Sequence, residues 1–316
     1  VKIILSVIFA ILFFIGSMAQ DSANKTLKYT TNSSTSFNKK RAFVVGGAFA
    51  VTYTSSLLAL NQTWYKNYPK TSFHTYNDSG EWLQMDKIGH GWSAYNLSNL
   101  STAAWRWAGL PEKTSVFIGS LTGFSYLGII EILDAHSEKW GWSWADMVAN
   151  VGGSSLFAIQ QLAWKEQRIQ FKFSAHRKKY VPELELRANE LFGQSLAERI
   201  LKDYNGQAVW ASFNINSFSR KTNIPGWLNI SIGYGADGMF GGYENIGYDK
   251  NGNISFNRTD IKRFRQWYLS PDVDFTKIKT SSKFLRTILA GLNTIKIPAP
   301  ALELSNGKLK GHWLYF

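Results

Sequence analysis

Residues 116–133 read Val-Phe-Ile-Gly-Ser-Leu-Thr-Gly-Phe-Ser-Tyr-Leu-Gly-Ile-Ile-Glu-Ile-Leu, the most hydrophobic of four apolar segments in the chain's first half. Such a run predicts a helix that is apolar nearly all round, so it belongs in a core or against a membrane. Its length comes close to the roughly 20 residues that a membrane span needs. One residue does not fit that texture. Glu131 is a carboxylate in an apolar helix, and a buried charge must be paired, protonated or metal-bound.

Three other segments resemble it. Phe43–Leu60 is small and apolar, with Gly46 and Gly47 allowing close helix contact. Lys87–Ala108 mixes aromatics with Ser and Asn. Trp144–Trp164 has helical spacing and contains Gly152 and Gly153. Together they predict an apolar helical bundle. One form of it is soluble, with its central helices buried all round. The other is packed on, or partly sunk into, a membrane. The second is favoured because Trp105, Trp107, Trp140, Trp142 and Trp144 fall near helix ends, where an aromatic belt would lie.

Polar residues enter these helices in pairs. Asp86 and His90 are four apart and share a helix face. Glu131 and Asp134 are three apart, with His136 and Ser137 just beyond. Asp146 and Asn150 are again four apart, with Gly152 and Gly153 after them. The economical arrangement is convergence on one site, where the groups neutralise and hydrogen-bond one another.

The order of these motifs resembles that of the VanZ-like membrane proteins. It is closer still to the YfiM-like family of predicted periplasmic lipoproteins, a domain of unknown function. The motifs are Asp86-Lys87-Ile88-Gly89-His90, then Glu131-Ile-Leu-Asp134-Ala-His136-Ser137, then Ser143-Trp-Ala-Asp146-Met-Val-Ala-Asn150-Val-Gly152-Gly153. The resemblance covers Phe43 to Trp164, under half of the chain. It implies a periplasmic setting and supplies no mechanism. Two departures stand out: the chain has no lipobox cysteine, and its C-terminal half lies outside the family core.

Two chemistries fit the polar residues. His90, Glu131, Asp134 and Asp146 offer one nitrogen and three carboxylates, a set suited to Zn, Mn or Fe. A divalent metal held there would activate water to hydrolyse a phosphoester or amide. Without a metal, His90 is a general base oriented by Asp86 or Asp146, and Lys87 stabilises an anion. On either reading Asp86, His90, Glu131 and Asp146 are the catalytic candidates, and Lys87, Asp134, His136, Ser137 and Asn150 support them or bind ligand. The bland alternative is that Asp86–Lys87, His90–Glu131 and Asp146–Asn150 satisfy one another and cap helix ends. His74, His176 and His312 read as structural or solvent-exposed.

The rest of the chain sets the compartment. Ile3 to Gly16 is apolar and ends at Ser17-Met18-Ala19, which predicts a signal peptide over 1–19. A flexible leader is expected over 20–40, the bundle over 41–164, a basic and amphipathic helical segment over 165–204, and a β-rich region over 205–316. Alternation in Val209–Ile215, Trp227–Tyr234 and Arg265–Phe275, with an Asn306-Gly307 hairpin signal, gives about four to six strands. A free-standing membrane barrel needs at least about eight, so this region reads as a small sheet packed on helices. Its terminal Phe316 after alternating aromatics resembles the last strand of outer-membrane barrels.

The 316 residues carry 35 Lys+Arg against 22 Asp+Glu, a net charge of +13. For an exported chain that excess suits lipid headgroups or lipopolysaccharide phosphate, and nucleic acid is not an expected partner. Having no cysteine excludes disulfides and thiolate chemistry. The sequence therefore predicts an α+β, mainly α, envelope-associated protein at the periplasmic face of the outer membrane. It would bind or process a lipid or cell-wall component, as a metal-assisted or His-based hydrolase if it is an enzyme. The alternative is a non-catalytic structural subunit of an outer-membrane complex.

Overall fold

The structure, a computed structural model, describes residues 36–66, 68–219, 223–249 and 251–316. The expected signal peptide and most of the expected leader lie outside the described residues. The protein is α+β and mainly α. In chain order its elements are α1 (Lys39–Leu60), α2 (Met85–Trp107), α3 (Glu112–Ala135), α4 (Trp144–Trp164), β1 (Ile169–Ala175), α5 (Pro182–Phe192) and α6 (Leu196–Lys202). Then come β2 (Gln207–Asn214), α7 (Ile215–Phe218), β3 (Leu228–Asp237), β4 (Ile246–Tyr248), β5 (Ile254–Asn257), β6 (Phe264–Val273), α8 (Lys283–Leu292), β7 (Ala299–Ser305) and β8 (Lys308–Tyr315).

The chain forms two compact units that are not consecutive in sequence. A helical unit takes the described residues up to Asn77, then His90–Gln167 and Phe275–Leu292. A sheet unit takes Asp78–Gly89, Arg168–Asp274 and Asn293–Phe316. The first turn of α2 belongs to the sheet unit and the rest of that helix to the helical unit.

In the helical unit each apolar segment starts at a recognisable signal. Asn38 caps α1, its side chain accepting from the Arg41 N–H at 3.0 Å. Ser143 caps α4, accepting from the Asp146 N–H at 3.0 Å. Small residues set how closely the helices approach. A Cβ on Gly119 of α3 would stand 2.6 Å from the Thr102 nitrogen of α2, and one on Gly123 would stand 2.8 Å from the Ala94 oxygen. Gly46 and Gly47 play no such part, since nothing lies within 4 Å of a Cβ at either. The contact of α1 runs instead through Val45 and Phe49, which pack on Ala104 and Ala108.

By length and composition alone α1 and α3 are each able to cross a membrane, yet only 22% and 28% of their most apolar windows is buried. Phe43 and Leu58 on α1, Phe117 on α3, and Val148 and Ile159 on α4 are exposed. The bundle helices are therefore not buried all round, and the apolar character seen in sequence faces outward as well as inward.

The sheet unit holds six antiparallel strands in the order β1-β2-β3-β6-β7-β8, with a separate β4–β5 ribbon. The basic stretch 165–179, expected to be helical, contains β1. Its alternation Gln170, Lys172, Ser174 against Phe171, Phe173 sets polar residues on one face, and the charge run hides that pattern in sequence. The β7–β8 hairpin turns at Asn306 and Gly307 with φ of 49° and 70°, the left-handed pair that a two-residue turn requires. In the same unit Leu184, Ala188 and Phe192 of α5 pack on Phe240.

One segment is strained. Trp82, Leu83 and Gln84, just before α2, have φ of 49°, 50° and 65°. Left-handed backbone costs about 1–2 kcal/mol per residue with a Cβ. The turn is held by the Trp82 N–H donating to the Gly242 carbonyl at 2.8 Å and by the Tyr234 hydroxyl donating to the Leu83 carbonyl. The Trp82 ring lies 5.6 Å from Tyr204 and 6.1 Å from Phe192.

Candidate functional site

Three helices of the helical unit bring His90, Glu131, Asp146 and Asn150 together. His90 stands on α2, Glu131 near the end of α3, and Asp146 and Asn150 one turn apart on α4. The His90 Nδ1 lies 3.1 Å from the Asn150 Oδ1. An amide oxygen only accepts, so this contact places a proton on Nδ1 and makes Nε2 the position that takes or gives one. The Glu131 Oε1 is 3.8 Å from Nδ1, and the Asp146 Oδ1 is 4.0 Å from Nε2. The two carboxylates thus address opposite nitrogens of one imidazole.

Burial differs among the three. The Glu131 side chain is 1% exposed and that of Asp146 5%, whereas His90 keeps 17%. Glu131 accepts the Ser143 N–H on Oε2 at 3.2 Å, and its Oε1 has no hydrogen-bond partner among the described residues. Burial pushes its carboxyl up to about 8, opposed by His90 and reinforced by the charges of Asp146 and Asp134. Near neutrality it therefore holds a proton.

The remaining predicted residues are placed as follows. Asp134 is half-buried and accepts from the Tyr65 hydroxyl at 2.7 Å. His136 is exposed, with Nδ1 3.3 Å from the Thr71 carbonyl. Ser137 is buried, bridges Lys70, and accepts from the Lys139 N–H at 3.4 Å. His136 and Ser137 thus fasten the segment around residues 69–76 onto the end of α3. Asp86 and Lys87 fall in the sheet unit, on the turn of α2 before His90. Asp86 accepts from the Tyr204 hydroxyl at 2.7 Å and from Lys87 Nζ at 3.0 Å, and Lys87 also pairs with Asp78 at 2.5 Å. The Lys87 charge is thereby matched by two carboxylates.

Two residues matter here that are not among the candidates read from sequence, Ser143 and Tyr65. Ser143 joins the site twice, its hydroxyl capping α4 and its N–H holding Glu131. The Ser-x-x-Asp spacing before an apolar run is the signal that marks it. Tyr65, which engages Asp134, lies 69 residues away in the chain and leaves no local signal.

The donor chemistry of His90, Glu131 and Asp146 suits a divalent ion. As the side chains stand, an ion on Nε2 would contact Asp146, with Glu131 on the far side of the ring and Asp134 on Tyr65. The same geometry suits proton transfer, because an imidazole of fixed tautomer reaches the surface with acids behind it.

Residues 75–161 match the family described as "Predicted periplasmic lipoprotein (DUF2279)". The match spans His90, Glu131, Asp146 and Asn150, and it supports an exported, periplasmic envelope location. These 316 residues include no cysteine that could carry a lipid. No curated protein and no solved structure matches the chain.

Proposed function

We propose that this is an envelope-associated protein whose helical unit binds, and chemically processes, a lipid or cell-wall component at His90. One observation carries the reading. A single imidazole is held by Asn150 at 3.1 Å, lies within 4.0 Å of two buried carboxylates, and keeps 17% of its side-chain surface exposed. With Nδ1 protonated and held by Asn150, Nε2 takes a proton and returns it, and the Asp146 side chain 4.0 Å from that nitrogen favours the charged ring in between, as hydrolysis of an ester or amide requires. The exposed apolar residues of α1, α3 and α4 support an apolar substrate. The net charge of +13 supports a phosphate-bearing surface, membrane lipid or lipopolysaccharide, as the place of work. The periplasmic face of the outer membrane is the location this reading assigns.

The test is incubation of detergent-purified protein with envelope lipid extract and with cell-wall fragments. Bound and altered species are read by mass spectrometry, and metal content is measured in parallel. Wild-type protein should retain or convert one class, and His90→Gln should lose conversion while keeping its thermal midpoint. Metal that co-purifies with wild type and is lost in both His90→Gln and Asp146→Asn would place a divalent ion on the Nε2 side. No retained class and no product would leave the protein as a non-catalytic subunit of an outer-membrane complex.

A further inference from the structure

The six-stranded sheet is inverted in polarity. One rung across it reads Phe171, Ala211, Ile232, Leu269, Leu302, Gly311, and the next of the same face includes Tyr234, Trp267, Leu304 and Leu309. Most of this apolar face is exposed: Ile232, Leu269 and Leu302 are each about half exposed, at 48%, 49% and 48%, while Val209 and Tyr234 at one end are buried, Tyr234 against Met85. The opposite face carries rungs such as Gln170, Ser212, Ser231, Ser270, and it is buried. A water-soluble sheet arranges these the other way, hydrophobic in and polar out.

The buried face is a connected polar interior. Lys172 pairs with Asp272 at 3.0 Å and donates to the Val273 carbonyl at 2.6 Å. Ser212 donates to Asp272 at 2.6 Å, Asn229 to Ser212 at 2.9 Å, and Asn214 to Asn229 at 2.7 Å. Glu303 accepts from Gln266 at 3.0 Å and meets His312 at 2.6 Å.

The sheet curls around that interior. β2 and β8 are four strand spacings apart, roughly 19 Å in a flat sheet. Yet the rings of Trp210 and Tyr315 are 6.0 Å apart, and both lie against Tyr268. His176, just past β1, is 5.9 Å from the Tyr315 ring, five strands away. Backbone bonds from Phe173 to Thr294 and from Lys296 to Phe173 close the β1 side. The polar face is therefore concave and the apolar face convex.

From this we infer that the convex face of the sheet is lipid-facing and sits among the acyl chains of a bilayer. The inference is independent of the His90 reading. Alternating apolar-out, polar-in strands around a polar interior are what an apolar solvent selects. A second copy fits this surface poorly, because two convex faces touch along a line, whereas acyl chains conform to any curvature. Strands of seven to ten residues reach roughly 23–34 Å, comparable to the apolar band of outer-membrane barrels. The open edge strand, β8, carries Lys308 and Lys310 beside its turn, where they suit phosphate headgroups.

The chain has no cysteine, so single-site labelling is clean. Ile232→Cys, Leu269→Cys and Leu302→Cys, each in the full chain and carrying a polarity-sensitive fluorophore, are reconstituted into phosphatidylethanolamine–phosphatidylglycerol vesicles, with Asn251→Cys as a loop control. All three sheet labels should shift to the blue and be quenched by lipids brominated on the acyl chain, while the loop label is quenched by aqueous iodide alone. Iodide quenching of the sheet labels in protein that floats with vesicles would overturn the inference. So would disulfide crosslinking between copies through these positions, which would assign the face to a second chain.

Discussion

Gly153 on α4 and Gly91 on α2 meet backbone to backbone: a Cβ built on Gly153 would stand 2.1 Å from the Gly91 carbonyl oxygen. This contact is one residue from His90 on α2 and three from Asn150 on α4, so it sets the helix approach that allows their 3.1 Å bond. Gly152 beside it faces open space. The two glycines therefore predict opposite outcomes. Gly153→Ala should destabilise by about 1–3 kcal/mol, the usual cost of overpacking, and should abolish any activity that depends on His90. Gly152→Ala should stabilise by about 0.5–1 kcal/mol through helix propensity and leave the site intact. Thermal midpoints and ligand retention for the two variants check the pair.

Glu131 predicts a pH dependence. Its carboxyl rises from an ordinary value of 4.5 to about 8 in the folded protein. Between those limits the folded state binds a proton that the unfolded state lacks, so stability falls as pH rises. The contribution is complete below about pH 4.5 and lost as pH passes through about 8. Glu131→Gln, permanently neutral, should remove this slope. Denaturant midpoints at a series of pH values from 5 to 9, wild type against variant, measure it, and parallel curves for the two proteins would refute it.

Ser143 separates capping from the site. Its hydroxyl caps α4, whereas its backbone N–H holds Glu131. Ser143→Ala should cost about 1 kcal/mol from the lost cap and keep the Glu131 contact. The variant should melt earlier with its pH slope unchanged, and a lost slope would mean that Glu131 depends on the hydroxyl.

How much of this was legible in sequence depends on the range of each interaction. Helix α4 is legible at its observed bounds, Trp144–Trp164, because helical spacing is a local signal. The convergence of His90, Glu131 and Asp146 followed from the cost of burying charge. The cost of burying charge does not fix which atoms meet: the i, i+4 spacing pairs Asn150 with Asp146, whereas Asn150 turns to His90. The basic run 165–179 hides strand β1, because the partner that buries Lys172, Asp272, lies 100 residues further along the chain. The inversion of the sheet was hidden for a related reason. Alternation gives the period of a strand, but closure of the sheet decides which face is inside.

The Lys172–Asp272 pair gives the last prediction. Both side chains are fully buried, and Asp272 also lies 3.9 Å from Lys296 Nζ. Removing the acid leaves two buried ammonium groups facing each other's charge, with Lys172 retaining the Val273 carbonyl and Lys296 the Ile297 carbonyl. Breaking a buried pair from one side typically costs about 3–5 kcal/mol, mostly from the stranded partner. Asp272→Ala should therefore lower the thermal midpoint in detergent sharply. Lys172→Met added to it should recover part of the loss, because one of the two buried charges left by Asp272 goes with the lysine and Met fills much of its volume. The two effects should be far from additive, as expected for residues in one network. If Lys172→Met lowers stability further in the Asp272→Ala background, the pair is not the electrostatic centre of the sheet's interior. The Lys172 stem would then act through packing alone.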